Sequence, residues 1–516
     1  MKKPNWLKNA VFYEIYPQSF NDTNNDGIGD IQGIIEKLDY IKELGCNAIW
    51  INPCWESPFK DAGYDVSDYK KVADRYGSNK DLIECFEEAH KRGIKVVLDL
   101  VPGHTSDQHP WFLESKKAER NEFSDRYIWT NDFREMPLKY NYVSGLSPRD
   151  GNYLVNFFSS QPALNYGFSK VTADWQMHYT DEACVKTFEA IIDVMRFWLD
   201  NGCDGFRVDM AMSLVKDGEG SVDMDASGEL WKKARKMLDI EYPEAVMISE
   251  WGYPEHSVMK GNFHADFYLE YRQGHKSLLR NWNTQTGEDN SYFSKQGNGD
   301  INQFLADYLP MYELIKEKGY ANMITCNHDT ARLSKSLDEN ETKLAYAFIF
   351  TMPGMPFLYY GDEIGIQYFS LTDKEGGYFR TGSRTPMQWD DSKNLGFSKA
   401  DTKDLYLPVD SRTIAPTVKE QENKEDSLLN TVKQLIELRH NYEDLQADAE
   451  FEAVWTKNNG YPFIYRRGQI YLAINPSQNI VSADFKIEKD LIFSIGKVEA
   501  LDEKISLQPQ SFGVFA

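Results

Sequence analysis

A chain of 516 residues and 59.7 kDa is longer than a single small core requires and predicts two or three domains. Its net charge of −23 at pH 7 argues against nucleic acid or an anionic membrane surface as partner. No stretch approaches the roughly 18 uninterrupted apolar residues of a membrane span, and no apolar segment of secretory type follows Met1-Lys-Lys-Pro-Asn-Trp-Leu-Lys8.

Taken in chain order, apolar runs of strand type alternate with helical patterns. Val11-Phe-Tyr-Glu-Ile-Tyr16 predicts the first strand. A helix with Ile34, Leu38 and Ile41 on one face follows, stopped at Gly45, and leads into a strand at Ala48-Ile-Trp-Ile51. A helix over about 80–92 precedes Val96-Val-Leu-Asp-Leu100. The remaining strands are predicted at Gly205-Phe-Arg-Val208, Val246-Met-Ile248, Asp266-Phe-Tyr-Leu269, Met323-Ile-Thr-Cys326 and Phe357-Leu-Tyr-Tyr360. Such alternation predicts an α/β fold, a (β/α)8 TIM barrel, with an open doubly wound sheet as the alternative.

Two stretches break the rhythm. Residues 105–170 are rich in Asn, Ser, Tyr and Gly and read as a small domain inserted after the third strand. Residues 365–425 form a polar, irregular run of the length that usually carries function. A helix is expected to begin near Asp426-Ser427. Beyond it, alternating segments such as Ile470-Tyr-Leu-Ala-Ile474 and the turn at Asn458-Asn-Gly460 predict antiparallel strands. These readings assign 1–104 and 171–446 to the barrel, 105–170 to an inserted domain B and 447–516 to a C-terminal β-sandwich. Six scattered cysteines lack metal-ligand spacing. Buried free thiols in a reduced, cytoplasmic protein are expected, as a monomer or weak homo-oligomer.

Four ordered segments hold the chemistry: Asp99-Leu-Val-Pro-Gly-His104, Gly205-Phe-Arg-Val-Asp209, Ile248-Ser-Glu250 and Asn327-His-Asp329. In a parallel barrel the C-terminal strand ends form the site, so Asp209, Glu250 and Asp329 should meet on one rim. Crowded carboxyls raise at least one pKa and keep a general acid protonated. Arg207, two residues before Asp209, points to the same side of its strand and can hold Asp209 ionised. A nucleophile and an acid/base about 5 Å apart are what retaining glycoside hydrolysis needs. A lone strand-end Asp is more often a capping or ion-pair residue; the set together is not. Separately, Asp22-Thr-Asn-Asn-Asp-Gly-Ile-Gly-Asp30 sets the oxygen side chains of Asp22, Asn24, Asp26 and Asp30 at alternate positions, the spacing of the first half of an EF-hand loop. Calcium is the expected ion, although Asn/Asp/Gly-rich stretches also form plain turns.

These segments, together with Gly354-Met-Pro-Phe-Leu-Tyr-Tyr-Gly361, resemble the α-amylase superfamily, glycoside hydrolase family 13, over most of the chain. The resemblance implies Asp209 as nucleophile, Glu250 as acid/base and Asp329 as transition-state stabiliser, with retention at an α-glycosidic bond. It implies that His104, Arg207 and His328 contact the sugar or the nucleophile, and that Tyr64 stacks beneath the ring bound at subsite −1. Arg384-Thr-Pro-Met-Gln-Trp-Asp390 is similar to the oligo-1,6-glucosidase, α-glucosidase and trehalose synthase branch. That likeness makes Arg384 the partner of Asp61 in closing subsite −1, Gln161 another residue of that subsite, and Ile28 a backbone ligand of a structural Ca²⁺ or Mg²⁺.

Three positions depart from the family pattern. Gly103 stands where the family has Asn, which weakens a second calcium site between barrel and inserted domain, and Ala163 stands where the branch has Asp. Met210 follows the nucleophile where Val accompanies α-1,6 cleavage and Ala or Thr accompanies α-1,4, so the linkage cannot be read across. The expected activity is an exo-acting α-glucosidase on short isomalto- or malto-oligosaccharides. The alternatives are an isomerase or transglycosylase of trehalose synthase or sucrose isomerase type and, from another class, a non-catalytic binding relative.

Overall fold

A computed structural model describes residues 2–371, 374–375, 380–501 and 503–516. Eight parallel strands form one sheet: β1 (Phe12–Ile15), β2 (Ala48–Ile51), β3 (Lys95–Leu100), β4 (Gly205–Val208), β5 (Val246–Ser249), β6 (Ala265–Tyr268), β7 (Tyr320–Met323) and β8 (Phe357–Tyr359). They pair in sequence order, β8 pairs with β1, and a bridge from Ile324 to Phe357 joins the remaining edges. The sheet is therefore a closed barrel, not the open alternative.

The strand residues are nearly all buried because both faces are covered. Side chains alternate along each strand. Phe12, Ala48, Trp50, Val97, Val246, Ile248, Phe267 and Phe357 fill the barrel axis, while Tyr13, Ile49, Ile51, Val96 and Leu98 pack outward. The helix expected before β2 is two helices, Ile31–Glu36 and Leu38–Leu44, broken at Lys37 and ended by Gly45 at φ +99°. Helix Asn79–Lys91 starts at a capping box in which Ser78 and Asp81 satisfy each other's backbone amides.

The seventh strand departs from expectation. It spans Tyr320–Met323 and not Met323–Cys326. Its buried Asn322 hides the strand in the apolar pattern; the amide oxygen of that side chain accepts from the Met355 backbone N–H at 3.1 Å. Thr325 and Cys326 lie past the strand end and donate to Asp362 instead.

Between β3 and β4, a short helix (Pro110–Ser115) and a hairpin (Tyr142–Ser144 with Asn152–Leu154) surround a core of Ile128, Leu154, Ala163 and Phe168. Helix Leu428–Asn441, N-capped by Ser427, precedes an antiparallel region. There a five-stranded sheet (Phe451–Trp455, Phe463–Arg467, Ile470–Asn475, Ser511–Phe515, Leu491–Ile495) packs on a three-stranded one (Val481–Ala483, Lys504–Leu507, Val498–Leu501) through Ile464, Ala473, Ile505, Leu507 and Phe515. No helix among the described residues is long and apolar enough to cross a membrane. All six cysteines are buried and unpaired.

Candidate active site

Strand parity assembles the site. Asp99 pairs in register with Arg207, and both face the barrel axis. Asp209 is two residues beyond Arg207, and Glu250 is two beyond the inward-facing Ile248. The same parity carries both carboxylates onto the C-terminal rim.

Arg207 is the hub. Its Nη1 donates to Asp99 Oδ1 at 3.0 Å and Asp209 Oδ1 at 2.9 Å, and its Nη2 pairs with Glu250 Oε1 at 2.9 Å. Two nitrogens of one guanidinium thus hold Asp209 and Glu250 close together. The Met210 amide donates to the other Glu250 oxygen at 3.0 Å, from a backbone at φ +39° that L-residues rarely adopt. Desolvation pushes the Asp209 carboxyl up to about 6 against the pull of Arg207. Desolvation also raises Glu250, to about 7, with Arg207 opposing and the Asp209 charge assisting.

Asp329 has the opposite environment. His328 Nε2 lies 3.1 Å away, Arg380 Nη1 2.9 Å and Arg384 Nη2 2.8 Å. Desolvation favours its neutral form, but His328 and the two guanidiniums outweigh it and hold the carboxyl well below the usual range. Desolvation likewise works against charge on His328, whose pKa nevertheless rises to about 9 through Asp329 on one side and Glu14, 2.8 Å from Nδ1, on the other.

The other expected residues line or brace the same cavity. Tyr64 donates to Asp99 at 3.0 Å, with its hydroxyl 2.8 Å from His328 Nε2. His104 Nε2 donates to the Tyr64 carbonyl at 3.2 Å; desolvation lowers its pKa to about 4, leaving it neutral, and Nδ1 has no partner. Gln161 Nε2 donates to Asp61 at 2.8 Å.

One pairing is corrected. Asp61 is ion-paired with Arg380 at 2.6 Å, not with Arg384. Arg384 lies deeper, donating to the His328 carbonyl at 2.9 Å and pairing with Asp329 and, at 3.4 Å, with Glu375. Arg380 therefore bridges Asp61 and Asp329. Sequence reasoning missed it because the run around it has no period that ties a position to the rim. Glu14 was missed too, although an acid inside the apolar run of β1 was a signal.

These groups surround a cavity of about 210 Å³, below the 300–1,000 Å³ typical of drug-sized ligand sites and suited to one sugar ring. Met210, Met212, Leu269 and Tyr271 give the cavity an apolar lining beside the polar Asp61 and Arg380. Gly103 has a physical reason as well. A Cβ there would stand 2.5 Å from Asn156 Nδ2 and 2.8 Å from Ser213 Oγ. That space serves Lys216, a buried ammonium bonded to the Ser213 carbonyl at 2.6 Å and Asn156 Oδ1 at 3.2 Å.

In loop 22–30 the oxygens face backbone amides. Asp22 accepts from Asn25 and Gly27, Asn24 from Asp26, Asp26 from Ile28, and Asp30 from Thr23, Asn24 and Gly33. Positive φ at Asn25 (+67°) and Gly27 (+91°) lets the loop wrap inward. Among the described residues no three Asp, Glu, His or Cys side chains gather into a metal-holding group.

Comparison with known proteins agrees with this geometry. Residues 14–448 match the alpha amylase catalytic domain. The chain is 32% identical to the oligo-1,6-glucosidase of Parageobacillus thermoglucosidasius, covering 95% of this chain and 92% of that one. It is also 32% identical to the trehalose synthase/amylase TreS of Mycolicibacterium smegmatis, over 85% of this chain and 77% of the other. An isomaltulose synthase variant from Erwinia rhapontici NX5, solved with sucrose, superposes with a TM-score of 0.81 at 26% identity, covering 100% of this chain and 99% of that one. With a closed barrel, a carboxylate rim and a family match over most of its length, the chain belongs to the α-amylase family of glycoside hydrolases.

Proposed function

We propose that the protein is a retaining, exo-acting α-glucosidase that releases glucose from short isomalto- or malto-oligosaccharides. The observation that carries this reading is Arg207 gripping Asp209 and Glu250 together beside an ionised Asp329. A shared guanidinium keeps the two carboxyls on one wall of the cavity, which is compatible with the roughly 5 Å of a retaining pair. An Asp209 oxygen attacks C1 while Glu250 protonates the departing glycosidic oxygen, leaving a covalent glycosyl-enzyme. Glu250, now ionised, takes a proton from water as the water oxygen attacks C1 and expels Asp209. Asp329, kept negative by His328, Arg380 and Arg384, steadies the positive charge that develops on the ring. The Asp61–Arg380–Asp329 bridge lines a cavity of about one ring's size, which supports attack at chain ends.

A second reading, isomerisation or transfer, has its own support in the apolar wall of Met210, Met212, Leu269 and Tyr271. Such a wall can exclude water and retain a sugar as acceptor. Product analysis by NMR on maltose, isomaltose and sucrose separates the two. Free glucose supports hydrolysis, and a rising disaccharide isomer overturns it.

Loop 22–30 is proposed to take Ca²⁺, with Mg²⁺ as the alternative, through Asp22, Asn24, Asp26, the Ile28 carbonyl and Asp30. The all-oxygen donor set suits a hard cation. Asp22 Oδ2 already accepts from both the Gly27 N–H and Ser398 Oγ, and Asp30 from Thr23, Asn24 and Gly33, so an ion would displace some of these bonds. The role is structural, with no catalytic step running through it. Equal Tm in Ca²⁺ and in EDTA would refute the ion and leave the hydrogen bonds as the loop's whole support.

A further inference from the structure

We propose that a cavity between the loops after β6 and β7 is a second, non-catalytic site for α-glucosyl oligosaccharides, with Trp282 as its sugar platform. The ligand class rests on the functional reading above; the site rests on geometry.

The cavity, about 510 Å³, lies on the barrel rim that carries Asp329, beside Ala331 and Arg332. Trp282 lines it and is 57% exposed, the one tryptophan among the exposed large apolar side chains of the described residues. It stands on a two-stranded hairpin, directly opposite Asp289 in register. Directly opposed residues of an antiparallel pair share a face. The exposed indole and the largely covered Asp289 carboxylate therefore lie side by side on the hairpin. The hairpin is pinned at its base, where the Asn281 amide donates to Ser291 Oγ at 2.8 Å and Asp289 accepts from the Ser291 amide at 2.9 Å.

Arg280 braces the wall: its Nη2 is fully used on the carbonyls of Thr325 and Ala331, each at 2.7 Å, and its Nη1 is buried. Exposed Lys335 supplies a donor at the edge of the cavity.

The mixture of signs favours a polyol over an anion. Asp289 lines the cavity, and Glu270 lies 3.8 Å from Arg280 Nε, so a phosphate would face carboxylates. Sugar hydroxyls both accept and donate, and the C–H face of a pyranose suits an exposed indole. The two Arg280 contacts also bracket residues 326–330, which include His328 and Asp329. A sugar bound here rests against the wall of the catalytic loop.

Binding is read on Asp209→Asn, which stops turnover while keeping the cavity, by equilibrium dialysis with maltotriose and isomaltotriose. Two molecules of one of these sugars per chain are expected. Adding Trp282→Ala should leave one, and Trp282→Tyr, which keeps a ring, should restore the second. One molecule per chain with and without Trp282 overturns the proposal, as does displacement of the second molecule by inorganic phosphate. In the active enzyme, Trp282→Ala should lower kcat/KM on longer oligosaccharides about tenfold, one interaction of roughly 1.4 kcal/mol. Cleavage of a single-ring aryl α-glucoside should stay unchanged; equal loss on both substrates would mean a damaged Asp329 loop and would also overturn the site. Failure of the wild type to cleave any α-glucoside refutes the functional reading instead, because binding is measured on the inert variant.

Discussion

Two acidic clusters on this chain look alike in sequence and differ in environment. On the rim, Asp209, Glu250 and Asp329 are met by guanidiniums and an imidazolium. In loop 22–30, Asp22, Asp26 and Asp30 are met by backbone N–H groups. Amides satisfy a carboxylate and fix a turn. Cations in a desolvated cavity instead drive neighbouring carboxyls apart in pKa, with Asp329 well below the usual range and Glu250 near 7. The comparison shows that function follows what faces the acid, not the density of acids.

The strongest way to break that contrast is to neutralise the rim. Asp209→Asn and Glu250→Gln should each cut kcat by about 10³-fold or more while the thermal unfolding midpoint stays near that of the wild type. Turnover close to wild type in either variant would overturn the assignment.

Arg380 gives the next largest effect. Arg380→Ala should lower kcat/KM about 10²-fold, because Asp61 and Asp329 lose a shared charge-assisted partner. A double-mutant cycle of Asp61→Ala with Arg380→Ala should be strongly non-additive, and the cycle of Asp61→Ala with Arg384→Ala closer to additive. The reverse result would restore the Asp61–Arg384 pairing expected from sequence.

The pH profile sharpens the contrast within the rim. Activity requires Asp209 ionised and Glu250 protonated, so kcat/KM should fall on the acid side near pH 6 as Asp209 takes a proton. It should fall on the alkaline side near pH 7 as Glu250 loses one. The two carboxyls share Arg207, so the limbs report the pair. Any residual rate of Glu250→Gln should lack the alkaline limb.

The smallest effect belongs to the loop. Asp30→Ala removes the N-cap of helix Ile31–Glu36 and should cost about 1–2 kcal/mol of stability, read by denaturant melts. Its kcat should stay near the wild-type value. A large loss of kcat would give the loop a catalytic share and end the distinction.

Much of the rim was legible because strand parity is a rule of two. Arg207 and Asp209, spaced two apart at the end of one strand, had to share a side. The barrel order was legible for the same reason, through repeated apolar runs before those acids. The seventh strand was misplaced because Asn322 is polar yet buried, its amide oxygen accepting from the Met355 backbone. Arg380 and Glu14 escaped because their partners lie hundreds of positions away, Asp61 for the first and His328 for the second.

The sequence by itself determined the barrel, the rim and the family resemblance that names the three carboxylates, because periodicity and short-range spacing are local properties of the chain. Only the tertiary structure decided which guanidinium meets Asp61, why residue 103 is glycine, and which carboxyls sit near 7 and which far below. Those outcomes depend on through-space distance and desolvation, which arise when remote segments close over one cavity.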